Sequence, residues 1–174
     1  MPGSGHLSTQ EVVWALVDIV SKNGNLLLNI TQRSDGTIQE YALQFLAEME
    51  QWMNVNGEAI HGTRPWEIYG EGPHHFENGE QNRFQRIAYT AEDIRFTTKG
   101  DTLYAILMGW PGRQVTIRSL PDGKNLWFGE IEQLRMLGDS TPLNWSQDER
   151  GLTVQLPDPP PCQHAYVLKI SGGN

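Results

Sequence analysis

Residues 20–29 read VSKNGNLLLN, and residues 30–38 continue as ITQRSDGTI. The stretch reads as a helix end, a tight turn, a short buried strand and a loop. The helix arrives through Trp14-Ala15-Leu16-Val17-Asp18-Ile19-Val20. Asn23-Gly24 supplies its stop, because Gly and Asn take the left-handed conformation after a helix C-terminus at little steric cost. Leu26-Leu27-Leu28 follows at once. An apolar run this short, just past a glycine, suits a strand covered on both faces. A second helix starts from Thr37 onward. Helix, turn, buried strand, loop and helix in succession form a piece of a parallel α/β sheet or barrel.

On the N-terminal side, Ser8-Thr9-Gln10-Glu11 fits a capping box, serine with glutamate three residues later, just before an apolar run. Val12, Val13, Leu16, Ile19 and Val20 make a broad stripe at helical spacing. Asp18 interrupts on the other side and reads as part of a solvated helix face. On the C-terminal side, residues 38–55 carry Ala42, Phe45, Leu46, Met49, Trp52 and Met53 at spacings of three and four. This stripe reads as core packing rather than a cofactor box, and Asn56-Gly57 ends the helix.

In a parallel barrel the loop after a strand lies on the active-site face. Here that loop holds Asn29, Thr31, Gln32, Arg33 and Asp35, whose amide and guanidinium groups suit a hydroxyl-rich ligand. Asp35-Gly36 reads as a turn with Arg33 paired to it, which leaves Asn29 as the substrate-binding candidate. Asn29-Ile30-Thr31 and Asn144-Trp145-Ser146 match a glycosylation sequon, and burial at a strand end is expected to close the first. Glu58 follows a helix that returns the chain to the opposite end of a barrel, so it reads as structural, pairing with Arg64.

Residues 62–88 are rich in Gly, Pro, Asn and charge and read as a long connection. His74-His75 with Glu77 lacks a third ligand at a metal-binding spacing and reads as surface loop. From Asp93 the apolar period changes to two. Leu103, Ala105 and Leu107 alternate with Tyr104, Ile106 and Met108. Val115 with Ile117, Leu152-Val154-Leu156 and Tyr166-Leu168-Ile170 repeat the pattern between turn signals. Short strands at this spacing predict an antiparallel sandwich. Trp110, Trp127 and Trp145 fall at strand ends or turns, where an aromatic ring either packs between sheets or stacks on a sugar.

Composition narrows the partners. The 174-residue chain is 38% hydrophobic and 20% charged, with a net charge of −8, so a packed core is available and a nucleic-acid polyanion is a poor partner. No apolar run reaches membrane-spanning length. The start, MPGSGHLSTQ, has neither the basic start nor the apolar core of a signal peptide, and the compartment stays open. A single cysteine, Cys162, allows no internal disulfide and reads as a loop thiol after Pro159-Pro160-Pro161.

The opening string, with NGEAIHGTRPW at 56–66, YGEGP at 69–73, DIRFTTKGDTLYAI at 93–106 and GLTVQLP at 151–157, resembles the C-terminal portion of the α-L-fucosidases of glycoside hydrolase family 29. The motifs run in family order over nearly the whole chain beyond Gln10. Thr31-Gln32-Arg33 stands where many members have a Gly-Pro pair. The resemblance implies the last βα unit of a (β/α)8 barrel, incomplete, in residues 1–63. It further implies a linker over 64–88 and a C-terminal β-sandwich over 89–174, an α+β arrangement overall. It implies a retaining exoglycosidase acting on terminal α-L-fucose, without metal or organic cofactor. The family's catalytic Asp and acid/base Glu belong to segments that map onto no residue here, so the catalytic set in this chain is empty. The expectations are an inactive part whose partners are a fucosylated glycan and the remaining barrel, or a sandwich that binds glycans through exposed Trp or completes another chain. With few neighbours for Leu26–Leu28, the sandwich is expected to fold alone and the barrel remnant to pack loosely or associate.

Overall fold

The computed structural model describes residues 7–75 and 87–172. Two helices, α1 (Thr9–Ser21) and α2 (Glu40–Asn56), precede eight strands. These are β1 (Arg64–Glu71), β2 (Ile94–Lys99), β3 (Thr102–Leu107), β4 (Gln114–Ile117), β5 (Gln133–Met136), β6 (Trp145–Asp148), β7 (Gly151–Gln155) and β8 (Tyr166–Ser171). The strands form a five-stranded sheet, β1-β2-β3-β8-β5, and a three-stranded sheet, β4-β7-β6. All pairings are antiparallel. The chain is thus α+β, with a sandwich at its C-terminal end.

Both ends of α1 follow from its sequence. Ser8 caps the first turn and Glu11 reaches back to the Ser8 N–H at 2.7 Å, a capping box that contributes about 1 kcal/mol. At the other end Asn23 takes φ 65°, the Gly24 N–H donates to the Ile19 carbonyl and the Asn23 N–H to that of Val20. This paired arrangement is a Schellman motif with asparagine in the left-handed position. The second helix ends differently. Gly57 keeps a helical φ of −60° and the chain tightens into a 3₁₀ turn, Gly57–Ala59, before Gly62 turns it at φ 70°.

The period-two pattern of β3 separates two cores. Leu103, Ala105 and Leu107 face the three-stranded sheet, joining Ile94, Phe96, Leu168 and Ile170 against Val115, Ile117, Leu152 and Val154. Tyr104, Ile106 and Met108 face the other way, into a second core with Val13, Val17, Trp52 and Val167. The helices therefore cover the back of the five-stranded sheet. Their two indoles fasten the layer: Trp52 Nε1 donates to the Ala165 carbonyl at 2.9 Å, and Trp14 Nε1 to that of Met108 at 2.6 Å.

Several expectations change. The strand expected over 25–30 forms no ladder in this chain. The isolated bridge Gln32↔Ile38 is the nearest pairing, and Leu27 is 94% exposed. A parallel strand needs a neighbour alongside, and the described residues bring none to it. Residues 64–71, read as connection, form strand β1 at the edge of the large sheet, where Pro65 is tolerated. Asp18 is not on a solvated face: it is 7% exposed and meets Arg95 of β2 across the helix–sheet interface. Glu58 pairs with Lys169 of β8 at 2.9 Å, while Arg64 donates to the Thr63 carbonyl. The helical layer is not loosely attached, because the back of the sheet is buried beneath it.

Candidate functional site

The loop after the apolar triplet is ordered by its own polar groups. Arg33 N–H donates to the Thr37 carbonyl, Gly36 N–H to that of Arg33, and Gly36 takes φ 83°. The Asp35 carboxylate accepts from the hydroxyl and the N–H of Thr37, at 2.7 and 2.9 Å, and these bonds hold it below the ordinary carboxylate range. The expected turn is present, with Thr37 rather than Arg33 as the partner of Asp35. Asn29 is exposed just before it. Strand-end burial therefore does not close its sequon here. Leu27 and Leu28, next to it in the chain, are exposed, and so are Leu43 and Leu46 of α2.

The buried carboxylates hold the fold. Asp18 Oδ1 accepts from Arg95 Nε at 2.7 Å, and its Oδ2 from Lys22 at 2.8 Å. Arg95 is fully buried and donates onward to the carbonyls of Ile94 and His74. Its guanidinium lies 5.0 Å from the Tyr89 ring centroid and 5.4 Å from that of Tyr69. Asp93 accepts from the N–H groups of Thr90 and His74 and from the Thr90 hydroxyl, and its Oδ2 lies 2.8 Å from His74 Nδ1. Burial alone would raise the Asp93 carboxyl, but the Thr90 and His74 bonds outweigh it and hold it below the ordinary range. Glu71 accepts from the N–H groups of Arg118 and Ser119, tying β1 to the loop after β4.

His74 thus serves a structural latch rather than a metal site. His75 packs on Tyr69 with centroids 4.5 Å apart, and Glu77 lies outside the described residues. Among the described residues no three His, Cys, Asp or Glu side chains gather as metal ligands. Among the same residues no helix is long and apolar enough to cross a membrane. The Cys162 thiol is half-buried, bonded to the Asn56 amide, and pushed up by burial.

The Asp93 latch makes a pH prediction. A carboxyl held low in the fold stabilises it above the ordinary carboxylate pKa, and that contribution is lost as pH falls through the lowered value. Below about pH 4, wild-type stability should fall steeply and that of Asp93→Asn more shallowly. Equal slopes in acid titrations of urea midpoints would count against the latch.

The three tryptophans separate by environment. Trp110 packs edge-on against Tyr166 with centroids 4.8 Å apart and belongs to the sandwich core. Trp127 is 46% exposed, with its indole N–H held by the Gly100 carbonyl at 2.8 Å. Trp145 is 37% exposed and walls a cavity of about 440 Å³ between β6 and the loop that joins β4 to β5. Sequence reading marked Trp145 but missed its neighbours Asn125, Glu130 and Gln147. The available signal was the length of the connection over 118–132, since loops beyond about 12 residues are usually functional when ordered.

Comparison with known proteins matches both halves of this arrangement. Residues 2–58 fit the family model for alpha-L-fucosidase, and residues 87–171 fit that for the alpha-L-fucosidase C-terminal domain. The chain belongs to the α-L-fucosidase family. The Alpha-L-fucosidase of Branchiostoma floridae is 32% identical, over 96% of this chain and 33% of its own length. The human Plasma alpha-L-fucosidase is 33% identical over 97% and 33% respectively. The solved structure of Thermotoga maritima alpha-fucosidase in complex with fucose is 28% identical with a TM-score of 0.70, covering 94% of this chain and 34% of that one. This chain spans about a third of the length of the curated relatives it matches.

Proposed function

We propose that this chain is the C-terminal part of a retaining α-L-fucosidase, an enzyme that hydrolyses terminal α-L-fucose from glycans, and that it is inactive alone. The remaining barrel is its partner and a fucosylated glycan is the substrate of the joined protein. Retaining hydrolysis requires two carboxyl groups roughly 5 Å apart across the glycosidic bond. The buried carboxylates Asp18 and Asp93 bind partners within the fold, as does the part-buried Glu58, and none is free for that work. The observation that carries the reading is the apolar triplet Leu26-Leu27-Leu28, which pairs with no strand among the described residues and leaves Leu27 94% exposed. Covering Leu27 alone stabilises by about 1.5–3 kcal/mol when burial is complete, which favours docking against a matching barrel surface. Asn29, exposed just after the triplet, is proposed as a substrate contact once the barrel closes. No resident metal or organic cofactor is part of this reading.

The test mixes the chain with the N-terminal part of a fucosidase relative that ends before the position of Ser8. Alone, the chain should release no nitrophenol from a nitrophenyl α-L-fucoside. The mixture should show activity and a raised melting temperature, and Leu27→Asp should abolish both. Activity in the chain alone would refute its inactivity. A mixture without change would refute the completing role.

A further inference from the structure

We infer that the sandwich carries a binding pocket for a neutral, hydroxyl-rich sugar, walled by Trp145. β6 is the outer strand of the three-stranded sheet, and its Trp145 is 37% exposed. The cavity beside it, about 440 Å³, lies within the size range of small-ligand sites. Its polar lining comes from Asp122, Asn125, Glu130 and Gln147, with the buried side chains of Leu126 and Ile131 among them. An aromatic face meets the apolar C–H side of a pyranose, while carboxylates and amides bind its hydroxyls.

The pocket is held in shape before any ligand arrives. Gln147 Nε2 donates to the carbonyls of Leu120 and Pro121 at 3.2 and 3.1 Å, which joins β6 to the opposite wall. Asp122 N–H donates to the Asp148 carbonyl, and Lys124 N–H to that of Pro121. A preformed site avoids the ordering cost that weakens binding by loops. Charge selects the ligand class. Lys124, the one cationic lining residue among the described residues, is engaged by Glu67 and lies over the Trp66 ring, and the protein carries a net charge of −8. Among the described residues, Asp122 and Glu130 therefore line the cavity with no free cation in its lining, which disfavours phosphorylated or sialylated ligands.

The experiment is a titration of the full chain with 2′-fucosyllactose, lactose and 3′-sialyllactose, following the indole N–H resonances. The Trp145 signal should shift with the neutral sugars at millimolar concentrations and stay in place with the sialylated one. Trp145→Ala should weaken binding by at least about tenfold, and Asn125→Ala should weaken it as well. Trp127→Ala should leave it unchanged. Trp145 lies on an exposed edge strand, so an unchanged melting temperature certifies the fold of its variant. No shift of Trp145 with either neutral sugar, or binding that survives Trp145→Ala, would overturn the assignment. The titration needs no barrel partner, so its failure would leave the proposed fucosidase role standing.

Discussion

Asp18→Ala is expected to remove about 3–5 kcal/mol from the unfolding free energy, measured by urea denaturation. The substitution strips a fully buried guanidinium of its carboxylate. Arg95 keeps the carbonyls of Ile94 and His74, but these neutral acceptors cannot balance its charge. The cost belongs to the charge left behind rather than to the attraction lost. Two companion variants separate these effects. Lys22→Ala removes the more exposed partner of the same carboxylate, an i,i+4 contact worth about 0.3–0.5 kcal/mol. Asp18→Leu combined with Arg95→Met removes both charges and should recover most of the stability. A loss below about 1 kcal/mol for Asp18→Ala would mean that water reaches the pair.

Trp52→Ala should cost a similar amount, about 3–5 kcal/mol, by a different route. The indole is 2% exposed and fills the space between α2 and the back of the large sheet. Truncation leaves a void that the flanking strands cannot close, because their other face is packed against the second sheet. Trp52→Phe keeps most of the volume and deletes the indole bond to the Ala165 carbonyl, which retains only the weak thiol donor of Cys162, so its smaller cost, about 1 kcal/mol, reports the lost indole bond. If α2 were a loose appendage, Trp52→Ala would leave the main unfolding transition of the sandwich in place. With the helices integral, the whole transition should shift together.

What could be read from the sequence was local. The capping box at Ser8 and the left-handed Asn23 are written in neighbouring residues, and both ends of α1 lie where those residues put them. The alternation in β3 announced a strand. That its second face meets helices, not solvent, required knowing what lies above Tyr104 and Ile106. Asp18 and Arg95 are far apart in the chain, and nothing near either residue signals the other. An aspartate on a helix is usually solvated, and here the sheet overrides that preference. Strand β1 was obscured by Pro65 and Gly70, with an irregular register between them, although Trp66 and Ile68 kept the period of two. The triplet at Leu26 carries a strand-like composition that this chain cannot realise, because pairing is a property of two segments. The pocket at Trp145 shared that difficulty: its wall was visible as one residue, while its shape depends on a loop folding back across β6.

The double-sided burial of β3 and β8 also sets which piece of this chain can be transplanted. A graft beginning at residue 89 would carry the sandwich without β1 and would leave Tyr104, Ile106, Met108 and Val167 facing water. One beginning just before Ser8 would bring its own roof, including the Asp18–Arg95 pair and both indole fastenings. Recombination among relatives that respected only the change from helix to strand would therefore tend to yield insoluble chimeras. Crossovers surviving selection should cluster ahead of α1, where the cut leaves the back of the large sheet covered.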